Sequence, residues 1–315
     1  MREYPRSLAE FEAMFSTEEA CRAYLVQLRW PSGFQCARCG SSKAWHTARG
    51  ILSCAGCGKQ SYLTAGTILQ GTHQTLRQWF RAVWWVTSQK SGTSALGLKR
   101  ILGFGSYRTA WLMLHKLRRA MVRPGRDRLS GRVEVDEAYV GGAHPGKRGR
   151  GAAGKSLVLV AAEAKGRGIG RIRLARVPDG SAKHLEAFVK DSVESGSLVH
   201  TDGNPSYSGL KSLGYRHRVT LMEEAAGRES RMLPWVHRVV SLLKRWLLGI
   251  HQGAVSHEHL DYYLDEFTFR FNRQTSRYRG KLFFRLLQQA MVLEPTLYRA
   301  MVRHARGPSA KHHNI

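Results

Sequence analysis

Two cysteine knuckles near the start of the chain restrict its folding more than any other feature. Cys36-Ala37-Arg38-Cys39-Gly40 and Cys54-Ala55-Gly56-Cys57-Gly58 are C-x-x-C pairs, each followed by glycine, with 14 residues between Cys39 and Cys54. That spacing is the one by which a short ribbon gathers four thiolates, and the glycine lets the chain curl back so that amides face the sulfurs. Four thiolates leave no open coordination position, so Cys36, Cys39, Cys54 and Cys57 are expected to hold a structural Zn²⁺. Cys21 is left over and reads as a small buried hydrophobe in a reducing compartment.

The charge balance points to an acidic partner. Fifty Lys and Arg oppose 23 Asp and Glu, a formal net charge of +27, the sign that binds phosphate backbones or anionic membranes. A spanning helix is excluded, because the longest apolar stretches fall well short of the roughly 18 residues it needs. The first residues carry Glu3, Glu10 and Glu12 where a signal peptide would be unbroken and apolar. A cytoplasmic protein with an acidic partner and no membrane-spanning segment is therefore expected.

With 315 residues, the chain has room for roughly two domains. Helical periodicity runs over 7–28, with Ser16 to Glu19 opening a second helix, then over 75–90 and over 93–122 with a break at Gly103-Phe104-Gly105-Ser106. The 94–111 segment has helix-turn-helix spacing, and its second helix offers Tyr107, Arg108, His115, Lys116, Arg118 and Arg119 to DNA. Pro124 to Asp127 reads as a linker. Beyond it, short apolar runs at Val133–Asp136, Ser156–Ala162 and Arg171–Val177 predict an antiparallel meander. A helix over His184–Val193, a strand over Leu198–Thr201, a helix over Ser206–Leu213 and a strand over His217–Leu221 follow, with helices from Pro234 onward. The expected organisation is 1–75 as helices and ribbon, 76–125 as a helical DNA-binding region, 126–300 as an α/β domain and 301–315 as a basic tail. Gly141 to Lys155 reads as a mobile basic loop.

Asp136 is expected at the end of the first strand after the linker, and Asp202 follows the fourth. Acids at strand ends present oxygens to Mg²⁺ or Mn²⁺, and two such ions can promote phosphoryl transfer. Three strands, then helix, strand, helix, strand, helix, with acids on the first and fourth strands, is a ribonuclease-H-like arrangement, which needs a third ligand on a later helix. His237 lies 35 positions beyond Asp202, and Lys244 seven beyond that, within about 20° of it on a helical wheel. Glu134 and Glu137 are read as pointing to the face opposite Asp136, at the surface or in support. Asp265 and Glu266 are expected to pair with Arg270 and Arg273.

Taken together, the knuckles, Thr64-Ala65-Gly66-Thr67-Ile68, the Val135-Asp136-Glu137-Ala138-Tyr139-Val140-Gly141-Gly142 run, His200-Thr201-Asp202-Gly203, the Lys244–Gly253 run and Tyr263–Arg273 resemble prokaryotic insertion-sequence transposases of the DDE superfamily, in the group with an N-terminal zinc ribbon and an often atypical third catalytic residue. The resemblance spans about residues 10 to 295. It implies a ribonuclease-H-like core, Mg²⁺-dependent cleavage at transposon ends and transfer of the 3′-hydroxyl into target DNA, by a homo-oligomer on DNA. By motif position it matches Asp136 and Asp202 to the two catalytic aspartates, His237 to the usual glutamate and Lys244 to a lysine that contacts transposon ends. The competing expectation is a DNA-binding regulator that has lost its chemistry, with His237 as the mark of decay.

Overall fold

The computed structural model describes residues 4–47, 51–123, 125–141, 155–221, 232–253, 255–296 and 298–303. The loop expected over Gly141–Lys155 lies mostly outside them, as does nearly all of the basic tail. The described residues fall into two compact units, one of 1–123 with 276–302 and the other of 124–275 with the C-terminal residues. The first boundary falls at the Pro124 segment. The second differs from the expected 126–300 domain, because the last helices belong with the N-terminal unit.

In that unit, α1 (Leu8–Met14) and α2 (Glu18–Arg29) start where Ser7 and Thr17 accept hydrogen bonds from first-turn amides. The ribbon follows as β1 (Ala44–His46), β2 (Leu52–Cys54) and β3 (Gln60–Ser61), paired antiparallel in that order. Next come α3 (Leu76–Ser88), opened by a Thr75–Gln78 capping box, α4 (Ala95–Leu102) and α5 (Tyr107–Ala120). Gly103 ends α4 at φ 67°, the left-handed conformation that only glycine takes without strain. The physical reason for the shifted boundary is aromatic: Phe283 is fully buried, with its ring 5.6 Å from Phe11, 5.5 Å from Phe15 and 5.6 Å from Phe80.

The other unit is a five-stranded mixed sheet with helices on both faces. The strands β4 (Arg132–Val140), β5 (Ser156–Lys165), β6 (Gly168–Val177), β7 (Leu198–Thr201) and β8 (Arg216–Val219) lie in the order β6-β5-β4-β7-β8. The meander β4-β5-β6 is antiparallel, while β7 joins β4, and β8 joins β7, in parallel. One face packs α6 (Ala182–Ser192) and a 3-10 turn (Pro205–Leu210) on Val133, Val135 and Val199. The other packs α7 (Pro234–His251) and α8 (Leu260–Phe271) on Val158, Val160 and Ile172. Outermost strand β6 is capped by Asn272, whose Oδ1 accepts from the Ile172 amide at 2.7 Å while its Nδ2 donates to the Ile172 carbonyl at 3.2 Å. Helices α9 (Arg279–Val292) and α10 (Tyr298–Arg303) complete the first unit.

Candidate functional site

The cysteine site is assembled by the ribbon's turns. All four Sγ atoms lie within 4.8 Å of one another, with Cys36 to Cys57 at 3.7 Å and Cys39 to Cys54 at 3.5 Å. A tetrahedron with Zn–S of about 2.3 Å has edges of about 3.8 Å, so the cage fits that ion. Gly40 and Gly58, at φ 72° and 68°, turn their amides onto the carbonyls of Cys36 and Cys54. The Arg38 amide donates to Cys36 Sγ at 3.5 Å and the Gly56 amide to Cys54 Sγ at 3.3 Å. Donation from the Arg38 and Cys39 amides holds the Cys36 thiol down to about 6. Among the described residues this is the one group of three or more potential ligands drawn so close together.

The acidic site is looser and is set by strand register. Asp136 is not at a strand end as expected, since β4 pairs with β5 from Val133 through Val140. What ends beside it is the other neighbour: β4 pairs with β7 only through Glu134 and His200. Two residues beyond that last pair stand Asp136, still within β4, and Asp202, just past the end of β7. Helix α7 brings in the third member, with His237 Nε2 3.3 Å from Asp136 Oδ2 and both side chains partly accessible, at 24% and 18%. Carboxylate oxygens with an imidazole nitrogen are donors that Mg²⁺ and Mn²⁺ accept.

The flanking glutamates depart from expectation. Glu134, two residues before Asp136, shares its face and is fully buried, with Oε2 accepting from the amides of Trp235 at 2.8 Å and Val236 at 3.1 Å. Strand alternation has a period of two, so an i, i+2 pair cannot face opposite ways. Glu137 does face away from Asp136, but into contacts rather than solvent. It accepts from Asn204 Nδ2 at 2.5 Å and the Tyr207 hydroxyl at 2.8 Å. Burial pushes the Glu137 carboxyl up, the charges of Asp136 and Asp202 adding to it against those two hydrogen bonds. Farther off, Glu266 pairs with Arg270 at 2.7 Å.

Two family models match this layout, the ISXO2-like transposase domain over residues 128–272 and the transposase zinc-ribbon domain over 16–60. The chain belongs to the insertion-sequence transposases that carry a zinc ribbon. A curated relative, described as an uncharacterized protein in transposable element ISH50 of Halobacterium salinarum, is 28% identical over 85% of this chain and 94% of its own length. Among solved structures, a chain of the simian T-cell lymphotropic virus intasome in complex with PP2A regulatory subunit B56 gamma is 14% identical. It covers 54% of the transposase and 67% of its own length at a TM-score of 0.29, too low to carry an argument.

The cations expected to face DNA from α5 divide sharply. Arg108 is exposed at the first turn of α5, its guanidinium 3.7 Å from the Tyr298 ring centroid. Lys116 and Arg118 are buried at 6% and 2%, and the Lys116 ammonium donates to the Gln70 carbonyl at 3.1 Å. Burial pulls the Lys116 amine down. Arg119, half-buried, donates to the Thr296 hydroxyl. Their expected place on a DNA face is thus corrected for Lys116 and Arg118, because the C-terminal half of α5 faces the unit's core. Tyr107, expected on that face, is exposed beside the turn, as is Arg100 of α4, whereas His115 is fully buried; Arg100 was not expected, and its place just before the glycine turn was the available signal. Lys244 is exposed on α7, two turns past His237.

Proposed function

We propose that this transposase binds the ends of its insertion element, cleaves DNA there and joins the freed 3′-hydroxyl to target DNA, with Mg²⁺ or Mn²⁺ held by Asp136, Asp202 and His237. The observation that carries the reading is the convergence of three distant segments. The last registered pair of β4 and β7, Glu134 with His200, stands two residues before Asp136 and two before Asp202, and α7 brings His237 to 3.3 Å from Asp136. The sheet order, with the meander on one side and two parallel strands on the other, is that expected of a ribonuclease-H-like core and supports the same reading.

Each residue has a task in such a transfer. An oxygen nucleophile, water for cleavage and the 3′-hydroxyl for joining, forms a new P–O bond as the bond to the leaving oxygen breaks. The bound cations would supply an activated nucleophile and charge stabilisation at the leaving oxygen. Asp136 and Asp202 contribute the carboxylates, and His237 contributes a neutral imidazole that can ligate or take up the nucleophile's proton. Lys244 would meet the backbone of the transposon end. The segment α4–turn–α5, as a helix-turn-helix-like module, would bind ends through Tyr107 and Arg108 at the N-terminal turn of its second helix and Arg100 in the last turn of its first. An element has two ends, so paired cleavage calls for a homo-oligomer on DNA, in the cytoplasm of a prokaryotic host. No described helix is long and apolar enough to cross a membrane.

The test separates binding from chemistry. Asp136→Asn and Asp202→Asn should each abolish cleavage of DNA carrying the element's ends while leaving end binding intact, since a carboxamide lacks the charge that holds the cation. Cleavage by either variant at the wild-type rate would refute the two-aspartate site.

A further inference from the structure

The two glutamates beside Asp136 reach opposite faces of β4, and each ends on the element that carries another member of the acidic site. Glu134 reaches α7. The first amides of a helix have no acceptor within it, and Leu233, at the N-cap of α7, supplies no side-chain cap. Glu134 Oε2 takes that place from another strand, accepting from the amides of Trp235 and Val236, and its negative charge suits the helix N-terminus. The residue that follows is His237. A contact that spans about a hundred positions of sequence therefore fixes the start of α7 one residue before the imidazole and two residues before Asp136.

Glu137 reaches the turn after β7. Its carboxylate accepts from Asn204 Nδ2 and the Tyr207 hydroxyl, and Tyr207 is itself fully buried. The backbone of Glu137 and Asn204 serves the aspartates: the Glu137 amide donates to Asp136 Oδ1 at 2.8 Å, and the Asn204 amide donates to Asp202 Oδ1 at 3.1 Å. A continuous chain of hydrogen bonds thus runs from Asp136 through Glu137 and Asn204 to Asp202.

We propose that Glu134 and Glu137 are positioning residues, Glu134 setting His237 against Asp136 and Glu137 setting the spacing of Asp136 and Asp202. The inference rests on the reading of Asp136, Asp202 and His237 as one metal-holding site. Neither glutamate need touch the cation or DNA; each holds a ligand-bearing element in register, as groups bonded to metal ligands do.

Double-mutant cycles on Mn²⁺ affinity, measured by electron paramagnetic resonance on the zinc-loaded full chain, test this. Glu137→Ala should weaken Mn²⁺ binding on the order of 10–100-fold, and most of that loss should vanish when Asp202→Asn is already present. Glu134→Ala should behave likewise in a His237→Ala background. Glu137→Gln and Glu134→Gln, which keep an acceptor oxygen, should restore affinity to within a few-fold of wild type. Where an alanine variant does not fold, the glutamine variant and Asn204→Ala enter the same cycles. Additive losses, or folded alanine variants with wild-type affinity, would overturn the proposal while leaving the metal site standing. Wild-type Mn²⁺ affinity in Asp136→Asn and Asp202→Asn would instead remove the site, and the proposal with it.

Discussion

Replacing Phe283 by alanine probes the unexpected return of the chain's last helices to the N-terminal unit. Its ring is fully buried among those of Phe11, Phe15, Tyr24, Phe80 and Trp84, whose centroids lie between 5.5 and 6.3 Å from its own. A buried Phe→Ala change costs about 3–5 kcal/mol, and ring pairs in these geometries push the cost to the upper end. For a unit of about 150 residues, each kcal/mol lowers Tm by about 2–4 °C, so a drop of roughly 6–20 °C is expected. Calorimetry of the zinc-loaded full chain should show the loss in one transition, accompanied by weaker end binding on warming. Mn²⁺ binding by the sheet unit should be unchanged at temperatures where both forms are folded. A shift below about 2 °C would refute the assignment of 276–302 to the N-terminal unit.

Metal analysis should find one Zn²⁺ per chain, and a strong chelator should unfold the ribbon, because structural zinc contributes about 10–16 kcal/mol to such small domains; a zinc-free ribbon with intact backbone protection would contradict this. Arg100→Ala and Arg108→Ala should each weaken end binding and lower the slope of log affinity against log salt by about one. Lys116→Ala should instead lower Tm, by removing a buried amine and its bond to the Gln70 carbonyl, with the salt slope unchanged; the reverse pattern would restore α5's C-terminal half to the DNA face. In strand transfer assays, His237→Ala should be inactive and His237→Glu partly active, with Mn²⁺ serving at least as well as Mg²⁺ in the wild type. Full activity of His237→Ala would make that residue a packed helix position.

What could be read from sequence were features with local causes. The knuckles close on themselves through Gly40 and Gly58, Thr17 and Thr75 cap the helices they precede, and Leu198–Thr201 is a strand bounded by turn residues. What could not be read depended on distant partners. Asp136 looks like a strand end because β4's polar residues interrupt the apolar run, yet β5 continues to pair beyond it. The burial of Lys116 and Arg118 follows from what packs on α5, since an amphipathic period marks a face without naming its neighbour. Likewise the apolar stripe of α9 is plain in sequence, but only the aromatic cluster decides that it serves the first unit. Glu134 is a separate case, because the period of two in a strand already placed it on Asp136's face.

The most direct measurement replaces Mg²⁺ with Fe²⁺ in the zinc-loaded full chain and maps where locally generated hydroxyl radicals cut the polypeptide. Cuts should cluster beside Asp136, Asp202 and His237, fade with excess Mg²⁺, and disappear in Asp136→Asn and Asp202→Asn. Cuts that avoid these three segments, or that persist unchanged in both variants, would contradict a single metal-holding site built from β4, β7 and α7.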